Sequence, residues 1–529
     1  MVLFSGGKFK RYLNDCFLMS WITRNYRSES WEFHMRREKA EGFVKPFVQP
    51  TPQYLLLKTL AAYPLRGEGF FYMRNLRDYT ELLLIATRDV ANAEGWASVY
   101  DFAIRMRRAG LVKDPPLVSA QIWPDKAQMK ELLKLYPLPK MLLFLEIAKK
   151  GRKDFGWSYG ARKKDAVVDA LKELPFEWHE LQAIKYPTTY RDILRMLHPK
   201  PWDDSINRLW RWVVKKGDAP TDKTKAYEEA VKASSPADAV KRAIEADLPW
   251  EVIRSRIGKL DAIPNELLFN AAAKLMGPFD IAMQASILTE RLGKDQVEYL
   301  VRRRGRIPLS AGARAAIGLA VQGRLEVANA FFEKAQLSKE EFNKLLPVAP
   351  KRVISLIDVS GSMQGARILA AARVLLPFTK VFEKAYVFNS GIEGIIKQIQ
   401  LSTLNDYLGL LNMPDDGTPL YDAIQKTITE ERLGEDDLLF VLTDEQENAS
   451  KAPITALSNI KTWVVLGVVA PYPADMILKN PETRAIAYPA SDPDSFIASA
   501  QLVTAKKLIE SEGVVEITKL LPPIALQAV

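Results

Sequence analysis

Residues 352–362 read RVISLIDVSGS. The run from Val353 to Ile357 is apolar but for Ser355 and rich in β-branched residues, and it is followed by Asp358, Ser360, Gly361 and Ser362. A short, almost continuous apolar run closed by turn-forming residues is the pattern of a strand buried on both faces. Downstream, the helix-like ARILAAARVLLPF is followed by KAYVFNSG (strand), LNDYLGLL and TPLYDAIQKTITEE (helices), DLLFVLTDE and KTWVVLGVVA (strands), and SFIASAQLVTAKKLIESEG (helix). Buried strands alternating with helices predict a doubly wound parallel α/β sheet, Rossmann-like, over residues 350–529.

Upstream of Pro350 the pattern is different. Between residues 51 and 349, segments such as ELLLIATRDVANA, KELLKLYPLPKMLLFLEIAKKG and DAVVDALKEL carry apolar residues three and four apart, the helical period. Pro, Gly and Asp breaks separate them: KDPPL, Lys216–Pro220 and Ile263-Pro264-Asn265. Many helices in succession without strands, and without a strict repeat, predict an irregular α-solenoid. Residues 1–50 are aromatic and basic with no clean period.

The whole chain has 529 residues, more than one hydrophobic core serves, and a formal net charge of +10. That charge divides at the change of pattern. Residues 351–529 hold 16 Lys+Arg against 22 Asp+Glu, a net of −6, and the remaining 58 and 42 give residues 1–350 a net of +16. Ten of the 11 tryptophans lie in the basic part. This division suggests a polyanionic partner for the first part and a cation site in the second. One cysteine, Cys16, excludes an internal disulfide framework and thiolate zinc sites, and three histidines exclude a histidine-rich metal site. The N-terminal stretch is broken by charges and no apolar run approaches a membrane span, so the expected location is cytoplasmic.

In an open α/β sheet, ligands bind beyond the carboxyl ends of the strands. Two strands end there in oxygen-bearing residues, Asp358-Val359-Ser360-Gly361-Ser362 and Thr443-Asp444-Glu445, and the loop Asp415-Asp416-Gly417-Thr418 lies between them. Asp358, Ser360, Ser362, Thr418 and Asp444 offer hard oxygen donors suited to Mg²⁺ or Mn²⁺. Gly361 is expected to relieve the tight turn. The competing view makes the serines helix caps and the aspartates solvated loop residues. No Walker-type loop or nucleophile elbow is present, no histidine lies in this part, and a metal-assisted hydrolase lacks a second acid/base pair; the chain reads as no enzyme.

This D-x-S-x-S, with the later Thr and Asp, resembles the metal-ion-dependent adhesion site of von Willebrand factor A domains. The resemblance covers about residues 350–529. It implies that Asp358, Ser360 and Ser362 contact the ion, that Thr418 joins in some states, that Asp444 acts through water, and that an open position accepts a partner's carboxylate.

Basic residues concentrate between about 105 and 216, including Lys149–Lys153, Arg162, Lys163, Lys164, Lys185, Arg191, Arg195, His198, Lys200, Arg208, Arg211, Lys215 and Lys216. Tyr159, Tyr186, Tyr190, Trp202, Trp210 and Trp212 are interleaved. Cations of this kind neutralise phosphates, and aromatics stack on unpaired bases. On one helix, Arg191, Arg195 and His198 at i, i+4 and i+7 would share a face. The plainer alternative is that the cations are the solvated faces of amphipathic helices, the tryptophans are core, and His198 is an ordinary histidine beside Pro199.

Two segments, Gly156–Lys164 and Lys185–Pro201, resemble the signature of the TROVE domain of the Ro autoantigen family, and the order TROVE then A domain is that family's order. As a divergent member, the chain is expected to close HEAT-like repeats into a ring. It is further expected to bind structured, Y-like noncoding RNA and single-stranded 3′ ends of misfolded RNA, as a noncatalytic ribonucleoprotein scaffold. The resemblance places Lys185 and His198 at positions associated with Y RNA contact, and Arg162, Lys163 and Lys164 on a basic helix near the RNA. Gly67–Tyr72 partly resembles the family's early glycine-rich segment, whereas residues 1–50, Gln284–Val301 and Arg302–Arg304 depart from it. The alternative is a structural or adaptor protein whose A domain grips a carboxylate of a protein partner, exoribonuclease-type or other, through the metal.

Overall fold

The computed structural model describes residues 95–108, 115–154, 160–257, 260–346, 348–444, 447–451, 460–469 and 485–490, with scattered positions in 84–92 and 493–504. Residues 1–50, Gly67–Tyr72, Gly156–Tyr159 and Glu445, on which several expectations fall, lie outside the described residues.

From Trp96 to Lys344 the described chain is a succession of helices, most of 8–17 residues, each packed mainly on near neighbours in sequence. Local chemistry sets the starts. Asp203, Thr221, Ser235 and Ser338 each accept a hydrogen bond from the backbone N–H three residues on, satisfying donors that the first turn leaves open. Pro187, Pro236 and Pro278 sit in first turns, where a missing N–H costs nothing.

Arginines join successive layers. Arg291 donates to the carbonyls of Leu260 (3.1 Å) and Ile263 (2.7 Å). Arg304 donates to Ala272 (3.1 Å) and Ala273 (2.7 Å) in the last turn of the helix Asn265–Lys274. A cation against helix C-terminal carbonyls meets both their unpaired lone pairs and the negative end of the helix dipole. Arg304 of the unassigned Arg302–Arg304 cluster therefore has a structural place.

After Pro350 come strands β1 (Val353–Asp358), β2 (Lys384–Phe388), β3 (Ile396–Ile399), β4 (Leu438–Thr443), β5 (Trp463–Val468) and β6 (Ala485–Pro489). They form one sheet in the order β3-β2-β1-β4-β5-β6. All pairings are parallel except β2–β3. The sheet is thus mixed rather than parallel throughout. The antiparallel β3 is a four-residue edge strand with Lys397 and Gln398 exposed, too short and too polar to stand out beside continuous apolar runs. The expected helices appear at Ala366–Leu375, Leu404–Leu410 and Leu420–Glu431, and the described residues within 493–504 are helical.

Side-chain alternation gives the sheet two covered faces. Ile354, Leu356, Leu439 and Val441 pack with Leu420 and Ile424 on one face; Val353, Ile357, Phe440 and Leu442 face the other. That second face does not end at the α/β part. Phe342 lies 5.9 Å from Phe378 and 5.6 Å from Phe496, ring centre to ring centre, and the Leu337 N–H donates to the Pro377 carbonyl at 2.7 Å. Residue 350 marks a change of architecture within a continuous apolar core. Gly312 shows how close the helices come: a Cβ there would lie 2.7 Å from that of Ala335. Among the described residues no helix is long and apolar enough to cross a membrane.

Candidate metal centre and basic helical surface

The chain leaves β1 toward β2 on one side and returns to β4 on the other, so the switch point lies between β1 and β4. Such a point opens a crevice at the carboxyl ends of the strands. Ile357 is in register with Leu442, which brings Asp358 beside Thr443. The Thr443 hydroxyl donates to Asp358 Oδ2 (2.6 Å), the Ser360 N–H donates to Asp358 Oδ1 (2.8 Å), and the Ser360 and Ser362 hydroxyls are 3.1 Å apart. The Thr418 loop is stitched onto this turn. Asp415 N–H donates to the Val359 carbonyl (2.9 Å) and Gly361 N–H to that of Asp416 (2.8 Å). Asp358, Ser360, Ser362 and Thr418 therefore converge, and Asp444 closes the group as the residue after β4.

Asp358, Ser360, Thr418 and Asp444 are fully buried. Burial pushes the Asp358 carboxyl up to about 7, against the lowering pull of its hydrogen bonds from Ser360 and Thr443, and the nearby Asp444 adds to the rise. The Thr418 hydroxyl oxygen is buried with no hydrogen-bond partner. A buried polar atom in that position calls for a ligand or carries a cost. Among the described residues no three His, Cys, Asp or Glu side chains cluster, so any ion here rests on two carboxylates and three hydroxyls. Those are the hard, mixed donors that a divalent cation of the magnesium class accepts while keeping waters. The donor set fits.

Sequence spacing missed the residues that hold this set in place. Asn389, following β2, is buried and donates to the carbonyl of Asp415 (3.0 Å). Asn448 accepts from Thr418 N–H (2.8 Å). Arg367 forms an ion pair with Asp444 and donates to the Ser362 carbonyl (2.7 Å). Asn389 alone carried a signal, as a polar residue at the ligand edge of a strand. Gly361 is not the tight glycine: a Cβ there makes only an ordinary contact with Asp416, whereas one at Gly417 would lie 2.9 Å from Asn448 Oδ1 and one at Gly391 would overlap the Asp416 carboxylate.

The basic residues divide. Arg162, Arg195, His198 and Lys200 are exposed and Lys164 is half-buried. Lys163 is not available to a surface ligand: it is buried in the helix Ala161–Lys172, and that burial lowers its ammonium pKa to about 8. Lys185 is ion-paired with Glu251, and Arg191 donates to the Val213 carbonyl at 3.1 Å. The shared face of Arg191, Arg195 and His198 does not form. The helix ends at Leu197 and His198 takes a left-handed conformation (φ 47°, ψ 48°), which turns it off the helical period; Arg191 is spent on a neighbouring helix.

The tryptophans follow the plainer of the two readings. Tyr190, Trp210 and Trp212 are buried in the core rather than offered to bases. Tyr190 stands at the centre of a closed network: Trp210 Nε1–H donates to its hydroxyl (3.1 Å), and the hydroxyl meets His179 Nδ1 at 2.6 Å. His179 Nε2 faces the Leu171 carbonyl at 2.8 Å, which assigns the proton to Nε2 and makes Nδ1 the acceptor. Burial pushes the His179 imidazole below its ordinary pKa, against the raising effect of Leu171.

Compared with models of known protein families, the chain matches none. No curated protein matches it either.

Proposed function

We propose that the chain is a noncatalytic, Ro-like RNA-binding protein. Its TROVE-like helical part carries structured noncoding RNA and single-stranded RNA 3′ ends, and its von Willebrand A-like part holds Mg²⁺ or Mn²⁺. The observation that supports RNA best is the surface of residues 195–216. Arg195, Lys200, Arg208, Arg211, Lys215 and Lys216 are all exposed there, against two acidic residues, Asp203 and Asp204, which belong to a helix start. With Tyr190, Trp210 and Trp212 in the core, this surface grips phosphates more than it stacks bases, so affinity is modest in sequence preference and steep in salt. Titration with a hairpin RNA bearing a single-stranded 3′ tail, beside blunt duplex DNA, tests it.

Asp358, Ser360, Ser362, Thr418 and Asp444 would hold the divalent ion, which when bound supplies an electrophilic position open to an anionic group. The partnerless Thr418 hydroxyl favours a second reading, in which the α/β part captures a partner's carboxylate and the helical part is its scaffold. Loss of partner capture in Asp358→Ala with RNA affinity intact is the result that would single it out. Both uses can coexist, because they engage different residues.

A further inference from the structure

One cation already stands at the candidate metal centre. Arg367 lies in the first turn of the helix Ala366–Leu375, which follows Gly365 in a left-sided backbone conformation (φ 70°) that only glycine adopts easily. The reversal at Gly365 brings the guanidinium back over the turn after β1. There one nitrogen, Nη1, donates to the Ser362 carbonyl at 2.7 Å and pairs with Asp444 Oδ2. Asp444 has no exposed side-chain surface and Arg367 keeps about a quarter of its own (27%). Arg367 therefore spans the two segments that bear ligands, the β1 turn and the end of β4, and neutralises one of the two carboxylates between them.

The geometry points to Arg367 as a built-in counter-cation that sets how tightly the site takes a divalent ion, an inference that rests on the divalent-cation reading above. Without an ion, two carboxylates in a crevice this buried repel one another, and the guanidinium offsets that repulsion. With an ion, guanidinium and metal draw on the same Asp444 carboxylate, and two positive charges at short range in a poorly screened site repel. Arg367 thus preserves the empty arrangement and weakens the filled one. A guanidinium that only tied down the Ser362 carbonyl would make no such difference, since a neutral amide can donate the same hydrogen bond.

Titration of the full chain with Mn²⁺, followed by electron paramagnetic resonance, tests this on wild type, Arg367→Gln, Arg367→Met, Arg367→Lys and Asp358→Ala. Both neutral variants should bind Mn²⁺ at least about tenfold more tightly than wild type, with the difference shrinking at high salt, while Arg367→Lys stays within about threefold. Circular dichroism identifies any variant that fails to fold, and either neutral variant is sufficient. Neutral variants that bind no more tightly than wild type overturn the inference. If Asp358→Ala abolishes binding in the same series, the metal centre stands and only the role of Arg367 falls. If Asp358→Ala binds as wild type does, the metal centre falls and the inference with it.

Discussion

Thr418→Val separates a metal ligand from a structural hydroxyl, because the two roles predict opposite signs. The Thr418 hydroxyl is buried without a partner, and an unsatisfied buried hydroxyl costs about 1–3 kcal/mol. Valine keeps the branched shape and removes that polar atom. The backbone bonds at this position survive: Thr418 N–H to Asn448 Oδ1 at 2.8 Å, and Asn448 and Ala449 N–H to the Thr418 carbonyl at 3.3 Å each. In chelator the variant should therefore be more stable than wild type by about 1 kcal/mol, or roughly 2–4 °C in melting temperature for a unit of this size. In Mg²⁺ at about a hundred times its dissociation constant, wild type gains about 2.7 kcal/mol, and the variant, short of one ligand, gains much less. Scanning calorimetry with chelator and with Mg²⁺ should show the order of the two proteins invert. A variant less stable than wild type in chelator, or one that keeps the full Mg²⁺ gain, would refute the assignment.

Three further outcomes follow from the structure. His179 has its pKa lowered by burial, so the unfolded chain binds the proton more readily; stability falls as pH drops below about 6.5, by at most about 1.4 kcal/mol per pH unit, and urea titrations of His179→Gln should lack that component. Gly312→Ala should cost about 1–3 kcal/mol by overpacking against Ala335, whereas Gly318→Ala, with open space around its Cβ in the same helix, should gain up to about 1 kcal/mol; equal melting temperatures for the two would contradict the packing. Charge reversal at Arg195 and Lys200 should weaken RNA binding and flatten its salt dependence, while Lys163→Met, altering a buried side chain, leaves both unchanged in a filter-binding assay.

The α/β part was legible because its strands are buried on both faces, so nearly continuous apolar runs such as VISLI and LLFVL fit best inside a covered sheet. Its ligand edge was legible for a related reason: Asp358 and Asp444 each fall at the end of a strand, and strand ends fall on one edge of a parallel sheet. What neighbouring elements place opposite was not. Arg367 is one cation in the helix-like run ARILAAARVLLPF, and nothing in that run signals its meeting with Asp444, which follows the reversal at Gly365. The helical part misled through composition. Tyr190, Ile193 and Leu194 follow the helical period that marks the core face, yet the aromatics drew attention as base-stacking groups because cations stood between them. His198 illustrates the limit of periodicity, since one left-handed residue after Leu197 cancels the shared face that spacing suggested.

The most direct test of the RNA-binding account is one titration at two salt concentrations, with a hairpin RNA carrying a single-stranded 3′ tail and a blunt DNA duplex of equal length. The account predicts tight binding of the tailed RNA that weakens steeply with salt, and distinctly weaker binding of the duplex. No binding of the RNA, or equal and salt-insensitive binding of both, would contradict it.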